Sequence, residues 1–438
     1  MSLSELPGPK GWPLVGMAPV FQRDAYAYAA EVASHGDLVR VPFPGTQIVY
    51  VLHPDLVEQV LVKQARRVVK GRFMSRLDIV FGQGLLLAEG DAWRKQRVRM
   101  APAFTRDAVR EMTAQMGPVA EAAVSSWGEG GIRSVDADMM GLTLEVALQG
   151  LFGTTSGDDL EIVRSAFSDI SDYFANIADA LAPIPSWVPT PGNRRFQRGR
   201  TAIDGVVGRI LGERRAAAAP GRDLLGRLVA AADAEGEALD EERLADEVRT
   251  LLLAGHETTA VALTTSLFEL AQHPDAQAWV FEEVSALDGL PDADTLLPRL
   301  DAVIDESMRL HPPAPAFARE PTEDIVLRGV TIPRGTTLML APFILHRDPR
   351  YFQDPLRWEP RRWTPRMRSA LPRFAFYPFG GGPRVCIGEA MARVEARIAL
   401  VAILRRFEVA PVEGSVLRLV PSVTLRPAEP VRLSFRPR

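Results

Sequence analysis

The chain has 438 residues, of which 47% are hydrophobic, with 51 basic against 55 acidic side chains and a formal net charge of −4. This balance describes a globular protein with a large core and excludes the basic footprint of a nucleic-acid-binding protein. A single cysteine excludes an intramolecular disulfide framework and, in a reducing compartment, leaves a thiol that stays free or serves as a ligand. Length alone suggests about three domains, yet no linker, repeat or low-complexity tract divides the chain. One domain over residues 1–438 is therefore expected, with a Pro/Gly-rich lead-in over 1–20. The N-terminus lacks the pattern of a signal peptide, and no run reaches the roughly 18 apolar residues of a membrane span. Cytoplasmic location without a transmembrane anchor follows as the expectation.

Leu6 to Pro13 reads as a stiff extended segment, because each proline fixes its own backbone and restricts the residue before it. A solvated tail is the equal alternative. Extended runs at Leu38 to Pro42 and Gln47 to Leu52 flank Pro44-Gly45 and predict a hairpin, after which His53-Pro54-Asp55 opens a helix through Val62. From Arg66 to Glu89 the chain is irregular and apolar, with Phe73, Leu77, Phe81, Leu85, Leu86 and Leu87 among glycines, so it must cover or line something. Asp91 to Met100 predicts a helix with Trp93 and Arg97 one turn apart, a pair that by itself is ordinary surface packing.

Residues 105–235 read as helices punctuated by glycine and proline. The proline-rich connection 181–191 exposes Ile184, Trp187 and Val188 and suits either a lid or a stiff connector. Glu241 to Gln272 is the longest uninterrupted helical stretch, ended by His273-Pro274, and would span roughly 48 Å. Its middle, Ala254-Gly255-His256-Glu257-Thr258-Thr259, sets an acid and two β-branched hydroxyl residues into an apolar helix. Gly255 costs up to about 1 kcal/mol of helix propensity, and a threonine hydroxyl can compete for a backbone carbonyl. A kink or widened turn is expected there. A solvated face for Glu257 is the bland alternative.

Glu306 and Arg309 lie three apart on a helix Asp301 to Leu310, a spacing worth only about 0.2 to 0.5 kcal/mol by itself. Strand-like runs follow at Ile325 to Val330 and Thr337 to Leu340, then a non-repetitive region from His346 to Tyr377. Between Arg361 and Arg373 stand five arginines and no acid, either a solvated basic face or a docking patch for an acidic partner. The loop Phe379 to Gly388 holds the lone Cys386 among four glycines and a proline, a backbone able to lie flat against something large, and a helix follows it.

In order and spacing, these signals resemble the cytochrome P-450 family of haem-thiolate monooxygenases over nearly the whole chain. Phe379 to Gly388 matches that family's haem-binding signature. Glu306 with Arg309, Ala254 to Thr259, Pro360 with Arg362 and Trp363, and Trp93 with Arg97 match four further motifs in the same order. The resemblance implies a mainly α-helical prism with small β-sheets, and haem b buried between the long central helix and the helix after the Cys loop. It implies Cys386 as the iron ligand, with Phe379, Gly388 and Ala254 against the haem, and Trp93, Arg97, Arg319 and Arg384 as propionate partners. Glu257 and Thr258 resemble the acid and alcohol pair that delivers protons during oxygen activation. Glu306, Arg309 and Arg362 resemble a buried ionic cluster of structural importance. The Cys386 thiolate would be favoured by the N-terminus of the helix beyond Gly388.

The reaction so implied inserts one atom of O2 into a C–H bond while the other leaves as water. Electrons come from a separate ferredoxin or flavodoxin with its reductase, and Arg94, Arg99, the Arg361 to Arg373 run and Arg393 would attract an acidic carrier. A monomer is expected. Phe73, Leu77, Phe81, Leu86, Leu251, Ala254 and Ala314 to Phe317 are candidate pocket residues with almost no charge, which favours a terpenoid, carotenoid or fatty acid. The only cations beside the apolar stretch are Arg66, Arg67, Lys70, Arg72 and Arg76. A peroxide-dependent haem-thiolate enzyme and a haem-thiolate ligand sensor without turnover are the competing readings.

Overall fold

A computed structural model describes residues 2–43, 46–75, 77–153, 157–179, 186–216, 221, 223–234, 241–421 and 423–438. Pro44, Gly45, Arg76, residues 181–185 of the proline-rich connection and the side chain of Phe73 lie outside the described residues. As the family resemblance implies, the fold is mainly helical with small sheets. The chain divides into two compact units, one made of residues 1–76, 178–183 and 308–386, the other of 77–177, 184–307 and 387–438.

The first unit holds a five-stranded sheet in the order Leu38–Phe43, Thr46–Val51, Thr337–Leu340, Phe317–Pro321, Val68–Val69. Leu38–Phe43 and Thr46–Val51 pair antiparallel with Leu38 opposite Val51, so the hairpin expected around residues 44 and 45 is formed by its flanks. Thr46–Val51 then pairs parallel with Thr337–Leu340. Val49, Val51, Leu338 and Leu340 fall on this seam and are buried with Val57, Val60 and Leu61 of the following helix. That helix is α-helical over Pro54–Glu58 and continues as a wider π turn over Gln59–Lys63. Ile325–Leu327 and Val330–Ile332 make a separate two-stranded hairpin.

The second unit is built from long helices: Arg106–Ser125, Val135–Phe152, Gly157–Asp179, Pro191–Ala216, Glu241–Gln272 and Glu389–Arg406. The central helix has the bounds its sequence predicts, Glu241–Gln272, and packs along Val135–Phe152 and Glu389–Arg406. Nine consecutive residues, Thr259 to Leu267, are all buried, so this segment is enclosed on every side. The helix containing Glu306 begins earlier than expected, at Pro298, because proline is well tolerated at a first helical position. A small sheet, Gly131–Ser134, Arg432–Pro437 and Phe407–Pro411, closes one region of this unit, and Leu419–Pro421 pairs with Leu425–Pro427. No helix among the described residues is long and apolar enough to cross a membrane.

Candidate active site

In the first unit the cysteine loop closes on itself. The Cys386 N–H donates to the Phe379 carbonyl at 3.0 Å, Val385 N–H to the Gly382 carbonyl at 3.1 Å, and Gly380 N–H to the Tyr377 carbonyl at 2.9 Å. Gly380 and Gly382 adopt φ of +74° and +68°, the left-handed region that disfavours a side chain. Gly382 also lies so close to its neighbour that a β-carbon would sit 2.0 Å from the Leu61 carbonyl oxygen, and one on Gly381 would sit 2.3 Å from the Phe374 ring. The glycines thus press the loop onto the unit's core, and the Cys386 side chain is left exposed. Two residues on, Gly388 caps the helix Glu389–Arg406.

Phe379 and Arg384 are half-buried on the same loop. Arg319, only 8% exposed, comes to the loop through its strand. Its guanidinium lies 5.2 Å from the Phe317 ring centre and donates to the Ala318 carbonyl at 2.7 Å. Phe317 in turn stacks edge-on to Tyr377 at 6.2 Å, and its Cζ would be 3.8 Å from a β-carbon on Gly380. The first unit therefore brings Arg319, Phe379, Arg384 and Cys386 together.

In the second unit the central helix opens on one face only. Leu251, Ala254, Gly255 and Thr258 are half-buried, while Leu252, Leu253, His256 and Glu257 between them are buried. The spacing i, i+3, i+4, i+7 is a single stripe along a helix, and a β-carbon on Gly255 would meet only Leu151 Cδ1, at 3.8 Å. The stripe is small at Ala254 and Gly255, the part of this segment where side chains fill least space. The widened turn expected here is absent: the segment is α-helical throughout. Thr258 Oγ1 donates to the Ala254 carbonyl at 2.9 Å and Thr259 Oγ1 to the Gly255 carbonyl at 3.1 Å. A carbonyl has two lone pairs, so the hydroxyls add to the N–H ladder without displacing it.

Glu257 is buried, not on a solvated face. Burial pushes its carboxyl up to about 7, against the lowering effects of a hydrogen bond with Thr424 and the positive charge of Arg426. Arg426 lies 3.7 Å from Asp172. Thr259 contacts a second buried acid, Glu395, whose carboxyl burial raises to about 8 despite that hydrogen bond. Neither Thr424, Arg426 nor Glu395 was singled out by the sequence, because their relation to the central helix is made by chain segments more than a hundred residues away. Trp93 and Arg97, on the helix Gly90–Met100, are both half-buried one turn apart.

Glu306 and Arg309 are completely buried, which an ordinary surface pair would not be. Arg309 donates to the carbonyls of His346 at 2.9 Å, Pro355 at 2.6 Å and Arg357 at 3.1 Å. Arg362 donates to the carbonyls of Gln353 at 2.5 Å and Arg357 at 3.1 Å. Two arginines thus converge on the Arg357 carbonyl and hold residues 346–362 in shape where no repetitive hydrogen bonding could.

A sequence profile of cytochrome P450 matches residues 6–435. The chain belongs to the cytochrome P450 family. This P450 is 32% identical to cyclooctatin synthase of Streptomyces melanosporofaciens, over 98% of this chain and 95% of that protein. It is 33% identical to cyclooctat-9-en-7-ol 5-monooxygenase of the same species, over 93% and 90%. It is 31% identical to pentalenene oxygenase of Streptomyces avermitilis, over 98% and 96%. Among solved structures it matches the heme domain of cytochrome P450DA with a TM-score of 0.85 at 28% identity, over 99% of this chain and 98% of that one. Retinoic acid bound cyanobacterial CYP120A1 matches with a TM-score of 0.87 at 25% identity, over 99% of each chain. The protein is therefore a P450 monooxygenase, an oxidoreductase that works on O2 and a substrate with electrons from a redox partner. Haem is the group of this family, and the residues present in the first unit fit it: one exposed soft donor on a loop that its glycines hold tightly.

Proposed function

We propose that this P450 hydroxylates a cyclic terpenoid, with haem b ligated by Cys386 and electrons delivered by a ferredoxin or flavodoxin with its reductase. The observation that carries the substrate class is the chemistry of residues 66–88. Its apolar side chains stand beside cations that are already engaged: Arg67 pairs with the Glu323 carboxylate and donates to the Asp324 carbonyl at 3.0 Å, and Arg72 lies 3.3 Å from Glu320. A wall of this kind selects shape and apolarity and offers those two arginines to no fatty-acid carboxylate. The names of the three Streptomyces relatives, cyclooctatin synthase, cyclooctat-9-en-7-ol 5-monooxygenase and pentalenene oxygenase, support a substrate of polycyclic terpenoid type.

When bound, thiolate-ligated haem supplies the oxygen-activating chemistry that puts one oxygen atom into the substrate C–H bond and releases the other as water. In this reading Phe379 shields the Cys386 sulfur, and Trp93, Arg97, Arg319 and Arg384 hold the propionates. Ala254 and Gly255 would leave room for the group on the side of the central helix, and Gly388 would let backbone approach it. Glu257 holds the proton that Thr258 passes on, and a carboxyl near 7 can both give and regain that proton at neutral pH. Leu77, Phe81, Leu86, Leu251 and Ala314 to Phe317 face the substrate. Arg361, Arg366, Arg368 and Arg373, exposed or nearly so, present the acidic redox protein with a positive surface. The protein acts as a cytoplasmic monomer.

The test is optical first and chemical second. The reduced protein with carbon monoxide is expected to give the band of a thiolate-ligated haem, and Cys386→Ser to lose it. Incubation with cyclic sesquiterpene and diterpene hydrocarbons or alcohols, a ferredoxin, its reductase and NADPH is expected to yield a product heavier by one oxygen. Turnover with peroxide but none with reduced ferredoxin would overturn the redox-partner assignment. Product from fatty acids alone would overturn the substrate class.

A further inference from the structure

Residues 81–88 lie along the first half of the central helix, and two glycines let them lie close. A β-carbon on Gly82, whose φ is +56°, would fall 2.0 Å from the Asp246 carboxylate, and one on Gly84 would fall 2.2 Å from Thr250 Oγ1. The helix directs two carboxylates into this contact. Gln83 N–H donates to Asp246 Oδ2 at 2.7 Å, and Leu85 N–H donates to Glu247 Oε2 at 3.0 Å. Thr250 Oγ1 donates to the Phe81 carbonyl at 3.4 Å, and Gln96 Nε2 to the Gln83 carbonyl at 3.0 Å.

Asp246, Glu247 and Thr250 are only 7%, 6% and 5% exposed. Acids so deep on a helix carry a desolvation cost, and a main-chain N–H hydrogen bond is what offsets it. The contact extends further through Arg249, which donates to Asp246 Oδ1 at 2.5 Å and, through Nε, to Asp204 Oδ1 at 2.9 Å. Asp204 belongs to the helix Pro191–Ala216. Three elements are therefore tied at one point: the loop, the central helix and the helix Pro191–Ala216.

The tied loop carries Phe81 and Leu86, and the stripe beginning at Leu251 lies just beyond Thr250 on the same helix. We propose that Asp246 and Glu247 are positioning residues that hold the 81–88 loop against the central helix and so determine which apolar substrates fit, although neither touches substrate. The proposal rests on the reading of Phe81 and Leu86 as substrate wall. A loop whose amides are fixed by two carboxylates keeps its leucines at one distance from the helix. Released, it can yield outward, and discrimination by shape is lost with it.

The test uses the haem-loaded enzyme and two iron-binding probes: bare imidazole, which needs no wall, and an imidazole N-substituted with a triphenylmethyl group, which fills the space around it. In Asp246→Ala and Glu247→Ala, hydrogen exchange at the Gln83 and Leu85 amides is expected to speed by about tenfold or more, the loss of a charged hydrogen bond. Affinity for the bulky probe is expected to fall about tenfold, with bare imidazole unchanged. Asp246→Asn and Glu247→Gln keep an acceptor oxygen and are expected to restore both readouts. Unchanged exchange in the alanine variants, or equal weakening of both probes, overturns the proposal.

Leu86→Ala separates the two layers of the argument. If it alters binding of the bulky probe while the alanine variants do not, the latch fails and the wall stands. If neither it nor the alanine variants alter that binding, the wall reading fails and takes the proposal with it. Should an alanine variant not fold, the wild type still decides: fast exchange at Gln83 and Leu85 overturns the latch.

Discussion

Two buried acids, Glu257 and Glu395, are raised by the same physics and carry different consequences. Desolvation disfavours the carboxylate at each site more than their partners favour it. For Glu257, raised to about 7, the proton is held at neutral pH and lost above it. Product formed per pair of electrons is expected to decline as pH rises through about 7 in the parent enzyme, and to be low at every pH in Glu257→Gln, which cannot regain a proton lost to the reaction. Thr258→Ala is expected to lower the same ratio while leaving the carbon monoxide spectrum intact. An unchanged ratio in both variants would remove the proton-delivery role. For Glu395, raised from 4.5 to about 8, the folded protein keeps a proton that the unfolded chain releases. Its contribution to stability is complete below about pH 4.5 and is lost as pH rises through about 8. Glu395→Gln is therefore expected to be the more stable protein above that pH, by up to about 5 kcal/mol, with the advantage vanishing near pH 4.5. Denaturant titrations at the two ends of this window measure it.

At the scale of the element, the cysteine loop shows how two glycines of the same backbone class differ in consequence. Gly380 and Gly382 both have positive φ, which costs a side chain on the order of 1 kcal/mol. Only at Gly382 does the added carbon also meet a backbone oxygen, at 2.0 Å; at Gly380 the nearest atom is 3.8 Å away. Gly382→Ala is expected to lose most bound haem and several kcal/mol of stability, since the Leu61 backbone cannot step aside, whereas Gly380→Ala should lose about 1 kcal/mol and keep its haem. The ratio of haem absorbance to protein, with a thermal melt, separates the two. The central helix teaches the complementary lesson. Its C-terminal end was legible because His273-Pro274 follows Gln272, whereas the widened turn inferred from Gly255 and the threonines did not form. Local propensity is worth about 1 kcal/mol, and burial on every side from Thr259 to Leu267 outweighs it.

For the whole molecule, the net charge of −4 hides a local excess of the opposite sign. Of the arginines from Arg361 to Arg373, two stack on rings, Arg368 on Trp363 at 4.9 Å and Arg373 on Phe374 at 5.3 Å. Stacking keeps a guanidinium charged and presented outward. Arg366→Glu with Arg368→Glu is expected to slow reduction by an acidic ferredoxin about tenfold at low salt, with the difference closing as ionic strength rises. A salt-independent defect would point instead to lost packing. We also propose that the chain unfolds as one domain. Each compact unit is assembled from three separate chain segments, so neither can be excised as a continuous piece. A single calorimetric transition is expected, and two resolved ones would overturn it.

What the amino-acid sequence determined by itself was the fold class, the reaction family, the lone thiol and the helix that carries Glu257 and Thr258. The thiol loop and the helix depend on residues close together in the chain, a glycine pattern around one cysteine and hydrophobic periodicity with a terminal proline, while the fold class and reaction family rest on the family resemblance carried by motifs in order. The tertiary structure alone decided how deeply Glu306, Arg309 and Glu257 are buried, that Thr424 and Arg426 meet Glu257, that Thr259 meets Glu395, and that Asp246 and Glu247 receive the amides of Gln83 and Leu85. The reason is physical. A spacing of three or four residues states which side chains share a helix face, but a carboxyl's proton affinity and a loop's position depend on groups that arrive from distant chain segments and on the water they displace.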